Sequence, residues 1–224
     1  MGRNLDKLWQ WCLVWLEIAV HGFKISSACR LFDKMFQSNL LKFQVIVAEP
    51  PFKDHIVLWG GVLLGWMREG RILPWDRDAD FLIFDSERHL LPELISRLEA
   101  AGFELMITYF ANDGVASEYS FVKGGRKFDL FIMKRELGMA QYLLFHRLSP
   151  KHPQSLITCA FPWHGTERGW FLGREWTIPA RTDEHLASIY GQWRMPNPAY
   201  RYWEDDVSII SRETAKCEAT FHLP

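Results

Sequence analysis

The sequence predicts an α+β (mixed α/β) protein, and two observations lead to that fold class. Apolar residues recur at helical spacing through the first fifty residues, whereas short apolar runs bounded by glycine, proline or polar residues follow them. The predicted order is helix, helix, β, α, β, α, β, β, β and a mixed tail, with one small mixed sheet flanked by helices. We expect N-terminal helices over 1–50 that pack on a core over 51–135, and a C-terminal extension over 136–224.

The first two predicted helices precede the sheet. A broad apolar face over residues 5–20 predicts a helix that packs on the core; the alternative is peripheral contact of its tryptophans with a membrane surface. No run of about 18 apolar residues occurs, so no transmembrane helix is expected. A second helix is predicted over Ser27–Val47, because Glu49-Pro50-Pro51 stops a helix.

Strands and helices then alternate through the central region. His55–Trp59 is a short apolar strand, and Gly60-Gly61 is a turn into a helix that runs through Met67. Asp78–Phe84 is a second strand, followed by a helix over Glu87–Ala101.

The remaining elements include a hairpin and a weakly patterned tail. Three strands are predicted at Phe103–Phe110, Ser117–Lys123 and Arg126–Met133. Gly124-Gly125 is typical of a two-residue hairpin turn between the last two of them. Helical patterns recur near 139–147 and 183–190, among connections rich in proline and tryptophan.

The composition is that of a globular protein without a strong charge bias. The chain has 224 residues, a formal net charge of −1 and 48% hydrophobic residues, which excludes disordered and collagen-like chains. It has no basic tail, so no nucleic-acid partner is expected. Its four cysteines are scattered and form no Cys-x-x-Cys pair, so reduced thiols and a cytoplasmic location fit best.

Three aspartates are the candidate chemical groups. Asp78 and Asp80 lie two residues apart on one predicted strand, so their side chains share one face. Asp129 interrupts an apolar strand, where an ionised carboxylate is costly unless it is paired or binds a metal. Oxygen-only ligands of this kind predict a site for Mg²⁺ or Mn²⁺.

Each aspartate also has a structural alternative. Asp78 could cap the entry to its strand. Asp80 could pair with Arg77 or Arg68, and Asp129 could be an edge residue paired with an arginine three positions earlier. We favour the metal site, because all three carboxylates occur together with a Gly-Gly turn in a compatible strand order.

Other nucleotide-binding and hydrolase motifs are missing from the sequence. It contains no P-loop, no Gly-x-Gly-x-x-Gly fingerprint, no Gly-x-Ser-x-Gly elbow and no His-Glu-x-x-His helix. Gly60-Gly61 followed by a helix offers backbone N–H groups to a phosphate, which is weak evidence by itself.

The gapless stretch from Leu58 to Asp80 resembles the signature of the LicD/fukutin family. That signature has a Trp-Leu strand, Gly-Gly/Ser/Thr, Leu-Leu-Gly, an Arg, Ile-Pro-Trp/Tyr and then Asp-x-Asp-x-Asp. Phe128–Phe131 is similar to the family's later aspartate strand, and Tyr190–Pro196 to its C-terminal Tyr-Gly-x-x-Trp-x-x-Pro element. The similarity spans about residues 55–203.

This resemblance implies a nucleotidyltransferase-type fold with 51–135 as the catalytic core. It also implies transfer of a phospho-alcohol, such as phosphocholine or ribitol phosphate, from a CDP-linked donor to a hydroxyl of a cell-surface glycan. By motif position, the implied catalytic residues and Mg²⁺ ligands are Asp78, Asp80 and Asp129. The residues implied to lie near the donor phosphates are Gly60, Gly61 and Arg68.

Further roles in proton transfer and substrate binding are predicted. Asp76 or Asp129 could accept the proton of the acceptor hydroxyl. Trp193 and Arg194 are expected to wall the substrate pocket, with the guanidinium bound to phosphate. The acidic run Glu204–Asp206 is expected to be a solvated cluster, because consecutive side chains diverge.

Two alternative functions stay open. A nucleotidyltransferase that attaches a nucleotide to a small molecule would use the same three aspartates. A catalytically inactive binding protein of the same fold is the other alternative, which the presence of all three acidic positions disfavours.

Overall fold

The computed structural model describes residues 27–146, 155–197, 199–214 and 218–222. The helix expected over residues 5–20 lies outside the described residues. In chain order the elements are α1 (Ser27–Val47), β1 (Val57–Trp59), α2 (Gly60–Glu69), β2 (Asp78–Phe84), a 3-10 helix (Asp85–Leu90), α3 (Leu91–Ala100), β3 (Glu104–Phe110), β4 (Ala116–Lys123), β5 (Arg126–Glu136), β6 (Met139–His146), β7 (Ser155–Pro162), β8 (Thr166–Phe171), β9 (Arg174–Pro179), α4 (Thr182–Tyr190), α5 (Tyr202–Asp205), β10 (Ile209–Thr214) and β11 (Glu218–Phe221).

Nine strands form one mixed sheet, so the predicted α+β class is confirmed but the predicted small sheet is not. Its main path runs β10-β7-β6-β5-β4-β3-β11, with antiparallel neighbours throughout. β2 pairs with β5 in parallel, and β1 pairs with β2 in antiparallel. Four of the nine strands, β6, β7, β10 and β11, lie in the C-terminal extension, where the sequence shows few strand signals.

The sheet curls on itself. β10 and β11 lie at opposite ends of the main path, yet Thr214 and Glu218 are only four positions apart in the chain, a span of at most about 14 Å. The rings of Tyr109 on β3 and Phe145 on β6 stack with their centroids 5.5 Å apart, although β4 and β5 lie between their strands in the sheet. A flat sheet could not bring these pairs together.

One face of β2 and β5 packs against the helices as the main core. Phe43 of α1 stacks on Phe81 of β2 with ring centroids 4.0 Å apart, and on Phe128 of β5 at 5.8 Å. Buried leucines of α2 and α3 belong to the same cluster. The opposite face begins with the aspartates and continues into a second apolar cluster around Trp59 and Phe131.

Most central elements confirm the sequence predictions. The bounds of α1 and β2 are those predicted, and Gly124-Gly125, with φ of 59° and 74°, joins β4 to β5 as a hairpin. The helix predicted near 139–147 is wrong, because Met139–His146 is strand β6. Its short apolar run fits either structure, and pairing with β5 and β7 makes it a strand.

The predicted domain division stays a prediction, and its boundary after residue 135 falls inside β5. Within the described residues, no helix combines the length and the apolar character that crossing a membrane requires.

Candidate active site

The pairing of β2 with β5 brings the three predicted aspartates to one face of the sheet. The two strands are parallel, and their register places Asp80 beside Asp129 and Asp78 beside Lys127. All four side chains share a face, because they occupy alternate positions of adjacent strands. The predicted carboxylate cluster therefore exists at the level of strand register.

Asp129 is buried and accepts two hydrogen bonds. The ammonium of Lys127 donates to Oδ2 at 2.7 Å. The hydroxyl of Ser120, opposite on β4, donates to Oδ1. The structural alternative that paired Asp129 with Arg126 is replaced by this ion pair, and the Arg126 guanidinium lies over the ring of Phe36, 5.6 Å from its centroid.

The turn from β1 into α2 lies against two carboxylates. The Gly61 N–H points toward Oδ2 of Asp80 at 3.4 Å. Gly60 has a φ of +68°, and a Cβ at that position would collide with the Asp80 carboxylate. A Cβ on Gly61 would lie 3.1 Å from Oδ2 of Asp76. Both glycines thus let the N-terminus of α2 approach the acidic side chains closely.

Burial and mutual repulsion raise the pKa values of these carboxyl groups. Burial raises the pKa of Asp80 well above its usual range, and the charges of Asp78 and Asp129 raise it further. The pKa of Asp78 is raised by burial and then by Asp129. Burial and the charge of Asp78 raise the pKa of Asp76 to about 7. A cation placed among these groups would relieve the repulsion.

A fourth carboxylate, which our sequence reasoning missed, belongs to the cluster. Glu118 on β4 is 7% exposed and shares a face with Ser120, two residues away. Burial and then the charge of Asp129 raise its pKa to about 8. The signal was present in the sequence: a two-residue turn at Gly124-Gly125 sets Ser120 opposite Asp129, and so turns Glu118 to the same face.

Lys127 is the second residue that sequence reasoning missed. It lies two positions before Asp129 on β5, so the period of a strand already predicts that the two share a face. Burial alone would lower the pKa of its ammonium, but the charges of Asp129 and Glu118 raise the pKa above its usual range. The lysine therefore carries its positive charge next to the acidic cluster.

Arg68 lies within electrostatic range of Asp76, and its implied place near the donor phosphates stays a prediction. Its charge acts on Asp76 in the direction opposite to burial, lowering the pKa. The guanidinium is mostly buried, with Nη1 3.5 Å from the carbonyl oxygen of Trp193 and Nη2 3.4 Å from Glu69. Trp193 itself is 5% exposed and belongs to the main core.

Arg194 takes a surface position. It donates a hydrogen bond to Asp183 at 2.7 Å, and its guanidinium lies over the Trp193 ring, 4.4 Å from the centroid. Both members of this ion pair are exposed. A substrate contact by Arg194 stays a prediction. Trp193 is linked to the site only indirectly, because its carbonyl oxygen accepts a hydrogen bond from Arg68.

Two tyrosines of the C-terminal extension lie within electrostatic range of the acidic face. The pKa of Tyr190 is raised by burial, then by Tyr200 and by the charge of Asp80. The pKa of Tyr202 is raised by burial and then by the charge of Glu118. Neither interaction follows from the local sequence, because both depend on the fold of the C-terminal extension.

The acidic run in the same extension is only partly solvated, which corrects one expectation. Asp206 is 5% exposed, and its oxygens accept hydrogen bonds from the Tyr142 hydroxyl at 2.7 Å and the Ser208 N–H at 2.8 Å. Asp205 is exposed, as predicted. Neighbouring side chains diverge, and here one of them points inward.

The chemistry of the acidic face fits a divalent cation. As their side chains stand, the described residues include no group of three or more His, Cys, Asp or Glu arranged to hold a metal ion. Three buried polar atoms of this region nevertheless have no hydrogen-bond partner among the described residues: Oδ2 of Asp76, Nε of Arg68 and Nε1 of Trp59. The backbone of Trp59 lies opposite that of Asp80. Clustered carboxylate oxygens are the ligands that Mg²⁺ and Mn²⁺ prefer.

Comparison with known proteins assigns the family. A search of curated proteins gives no match to the chain. The family model described as LicD/FKTN/FKRP, nucleotidyltransferase domain, matches residues 53–174, which is more than half of the chain and runs from β1 through β8. The matched range contains all four carboxylates, Lys127 and the glycine turn. The chain therefore belongs to the LicD/FKTN/FKRP family, whose members are generally transferases of phosphate-containing groups.

Proposed function

We propose that this protein moves a phospho-alcohol, of the phosphocholine or ribitol phosphate type, from a CDP-linked donor to a glycan hydroxyl. The family supports transfer of a phosphate-containing group. The observation that carries the proposal is the single acidic face on which β2 and β5 place Asp78, Asp80 and Asp129, beside the glycine turn into α2. A nucleotidyltransferase-type fold is part of the same proposal.

Asp78, Asp80 and Asp129 would hold Mg²⁺ or Mn²⁺. Such an ion, when bound, neutralises charge on the phosphate oxygens and on the departing CMP. The chain's own groups position the donor around it. The N-terminal N–H groups of α2, beginning at Gly60 and Gly61, would bind phosphate oxygens.

The proposed reaction is an in-line displacement at phosphorus. The acceptor oxygen bonds to the phosphorus next to the alcohol, the bond from that phosphorus to the CMP oxygen breaks, and CMP leaves. The proton of the acceptor hydroxyl passes to a carboxylate. Asp76 is the better placed of the two predicted bases, because its Oδ2 is buried without a partner among the described residues, whereas Lys127 and Ser120 occupy both oxygens of Asp129.

Mass spectrometry of the products tests this proposal. The chain is incubated with a panel of CDP-alcohols and nucleoside triphosphates, glycan acceptors and Mg²⁺, with and without EDTA. We expect CMP and a phospho-alcohol on the acceptor, only in the presence of metal and not with Asp78→Asn. Release of pyrophosphate with transfer of a nucleotide would support the nucleotidyltransferase alternative instead. Binding of a CDP-alcohol without any product would indicate an inactive binding protein.

A further inference from the structure

The acidic face contains a cationic side chain, Lys127, which is paired with one carboxylate and acts electrostatically on three others. Four carboxylates, of Asp78, Asp80, Asp129 and Glu118, act on one another electrostatically at this face. The ammonium of Lys127 makes an ion pair with Asp129 at 2.7 Å and acts on the charges of the other three. Lys127 therefore neutralises the same carboxylates that a divalent ion would bind.

The side chain of Lys127 is less enclosed than its partner. Its exposed fraction is 39%, against 5% for the side chain of Asp129. An ammonium on a four-carbon stem can change partners without moving the backbone. The backbone of Lys127 lies beside that of Asp78, at the end of β2 where the predicted metal ligands begin. The lysine thus stands at the open end of the site, and Asp129 inside it.

We propose that Lys127 is an exchangeable counter-cation: it holds Asp129 in the metal-free protein, and it turns to a phosphate oxygen of the donor when a divalent ion takes Asp129. This inference rests on the proposed function. Lys127 is thereby a positioning residue in the metal-free protein and a donor-binding residue in the loaded one.

Electrostatics gives the exchange its direction. A divalent ion and an ammonium repel each other when they share Asp129, so binding of the ion weakens the lysine ion pair. A donor phosphate brings new negative charge to the mouth of the site, where an ammonium is a favourable partner. By linkage, the lysine then opposes metal binding and assists donor binding.

Two neutral substitutions and one conservative substitution test this exchange. Lys127→Met removes the charge and the hydrogen bond, whereas Lys127→Gln removes the charge but keeps an N–H donor for Asp129. Lys127→Arg keeps the charge. The matched control is Lys134→Met on the same strand, where the lysine is 66% exposed and pairs with Asp113 at 3.7 Å. Binding of Mn²⁺ alone is followed by electron paramagnetic resonance, and binding of CDP at saturating Mn²⁺ by calorimetry.

We expect opposite changes in the two affinities. Both neutral variants should bind Mn²⁺ about fivefold more tightly, the lower end of typical coupling between sites. They should bind CDP about tenfold more weakly, because a charge-assisted hydrogen bond to a phosphate oxygen is lost. Lys127→Arg should restore CDP binding, and Lys134→Met should match the wild type in both measurements.

A purely structural lysine would give another pattern. Loss of strand geometry would weaken both affinities together, and an uninvolved lysine would leave both unchanged; either result in Lys127→Gln overturns the inference. Wild-type protein that binds Mn²⁺ and CDP while the variants do not diverge refutes only the role of Lys127. Wild-type protein that binds neither refutes the proposed function and this inference together.

Discussion

Where β2 and β5 begin, their two faces differ in chemistry, although both faces are built from alternate residues of the same two strands. Ala79, Phe81, Phe128 and Leu130 point into the main core and are at most 1% exposed. The intervening aspartates and Lys127 form the acidic face. Because side chains alternate along a strand, each residue of the core face fixes the position of a neighbour on the acidic face.

The comparison teaches where stability and function separate in this fold. The core face gains free energy by burying aromatic rings. The acidic face instead collects buried carboxyl groups with raised pKa values, which cost free energy in the absence of a cation. Substitutions on the two faces should therefore change different measured quantities.

The largest expected effect is on the acidic face. If the proposed function holds, Asp80→Asn should lower transfer activity by about a thousandfold, because a charge that would balance the cation is lost from the proposed reacting centre. The melting temperature of the metal-free protein should stay the same or rise, since one repelling carboxylate is removed. Activity assays and thermal melts with EDTA measure both. A variant that melts earlier but keeps its activity would contradict the separation of the faces.

Substitutions on the core face should lower the free energy of unfolding. Phe128→Ala removes a fully buried ring whose centroid lies 5.0 Å from that of Phe103 and 5.8 Å from that of Phe43. We expect a loss of about 3–5 kcal/mol in the free energy of unfolding, measured by urea denaturation. Trp170→Ala is the control, because that ring is 70% exposed and its loss should cost below about 0.5 kcal/mol. Equal losses in both variants would refute this assignment of the core.

The C-terminal acidic run allows a buried and an exposed aspartate to be compared at neighbouring positions, Asp206 and Asp205. Asp206→Ala leaves the Tyr142 hydroxyl and two donors of Ser208 without their acceptor, so we expect a loss of about 3 kcal/mol in unfolding free energy. Asp205→Ala changes an exposed group that accepts from the Arg201 N–H, and should cost below about 1 kcal/mol. Urea denaturation of both variants checks this, and a larger loss for Asp205→Ala would contradict it.

A buried histidine provides a test with pH. His185 on α4 packs its ring against Phe161, and burial lowers its pKa to about 4. In the unfolded chain this histidine binds a proton near pH 6.5, whereas in the folded chain it binds one only near pH 4. The free energy of unfolding therefore falls as pH drops from about 6.5 to 4. At pH 5 the loss relative to pH 7 should be about 2 kcal/mol.

The substitution His185→Leu should remove this part of the pH dependence, measured as the difference between variant and wild type in urea denaturation at pH 7 and pH 5. The same substitution at exposed His89 is the control. An unchanged pH dependence in His185→Leu would show that this ring does not carry the effect.

The acidic face was largely predictable, and the reasons are local. The spacing of Asp78 and Asp80 needs only the period of a strand, and the glycine hairpin sets the register that brings Asp129 opposite Ser120. Lys127 and Glu118 follow from the same two rules, although we did not apply them. The parallel pairing of β2 with β5 follows from no local signal, since it depends on the helix between them packing back on the sheet.

The C-terminal extension was poorly predictable for a physical reason. β6 reads as a short apolar run, and its identity as a strand comes from neighbours distant in sequence. The burial of Asp206 likewise depends on Tyr142, 64 residues away. Where tertiary contacts decide local structure, propensity and periodicity lose their value.

The short link between β10 and β11 has a practical consequence for shortened versions of this protein. These two strands cover β7 and β3, the neighbours at either end of the curled sheet, and both lie beyond the family-matched residues 53–174. A fragment trimmed to that match would present two strands with open hydrogen-bonding edges, one of them at each end of the sheet. Such edges recruit other chains, so the fragment should self-associate more strongly in size-exclusion chromatography than the full chain, in which β7 and β3 are paired and the shorter strands β10 and β11 lie at the ends of the path.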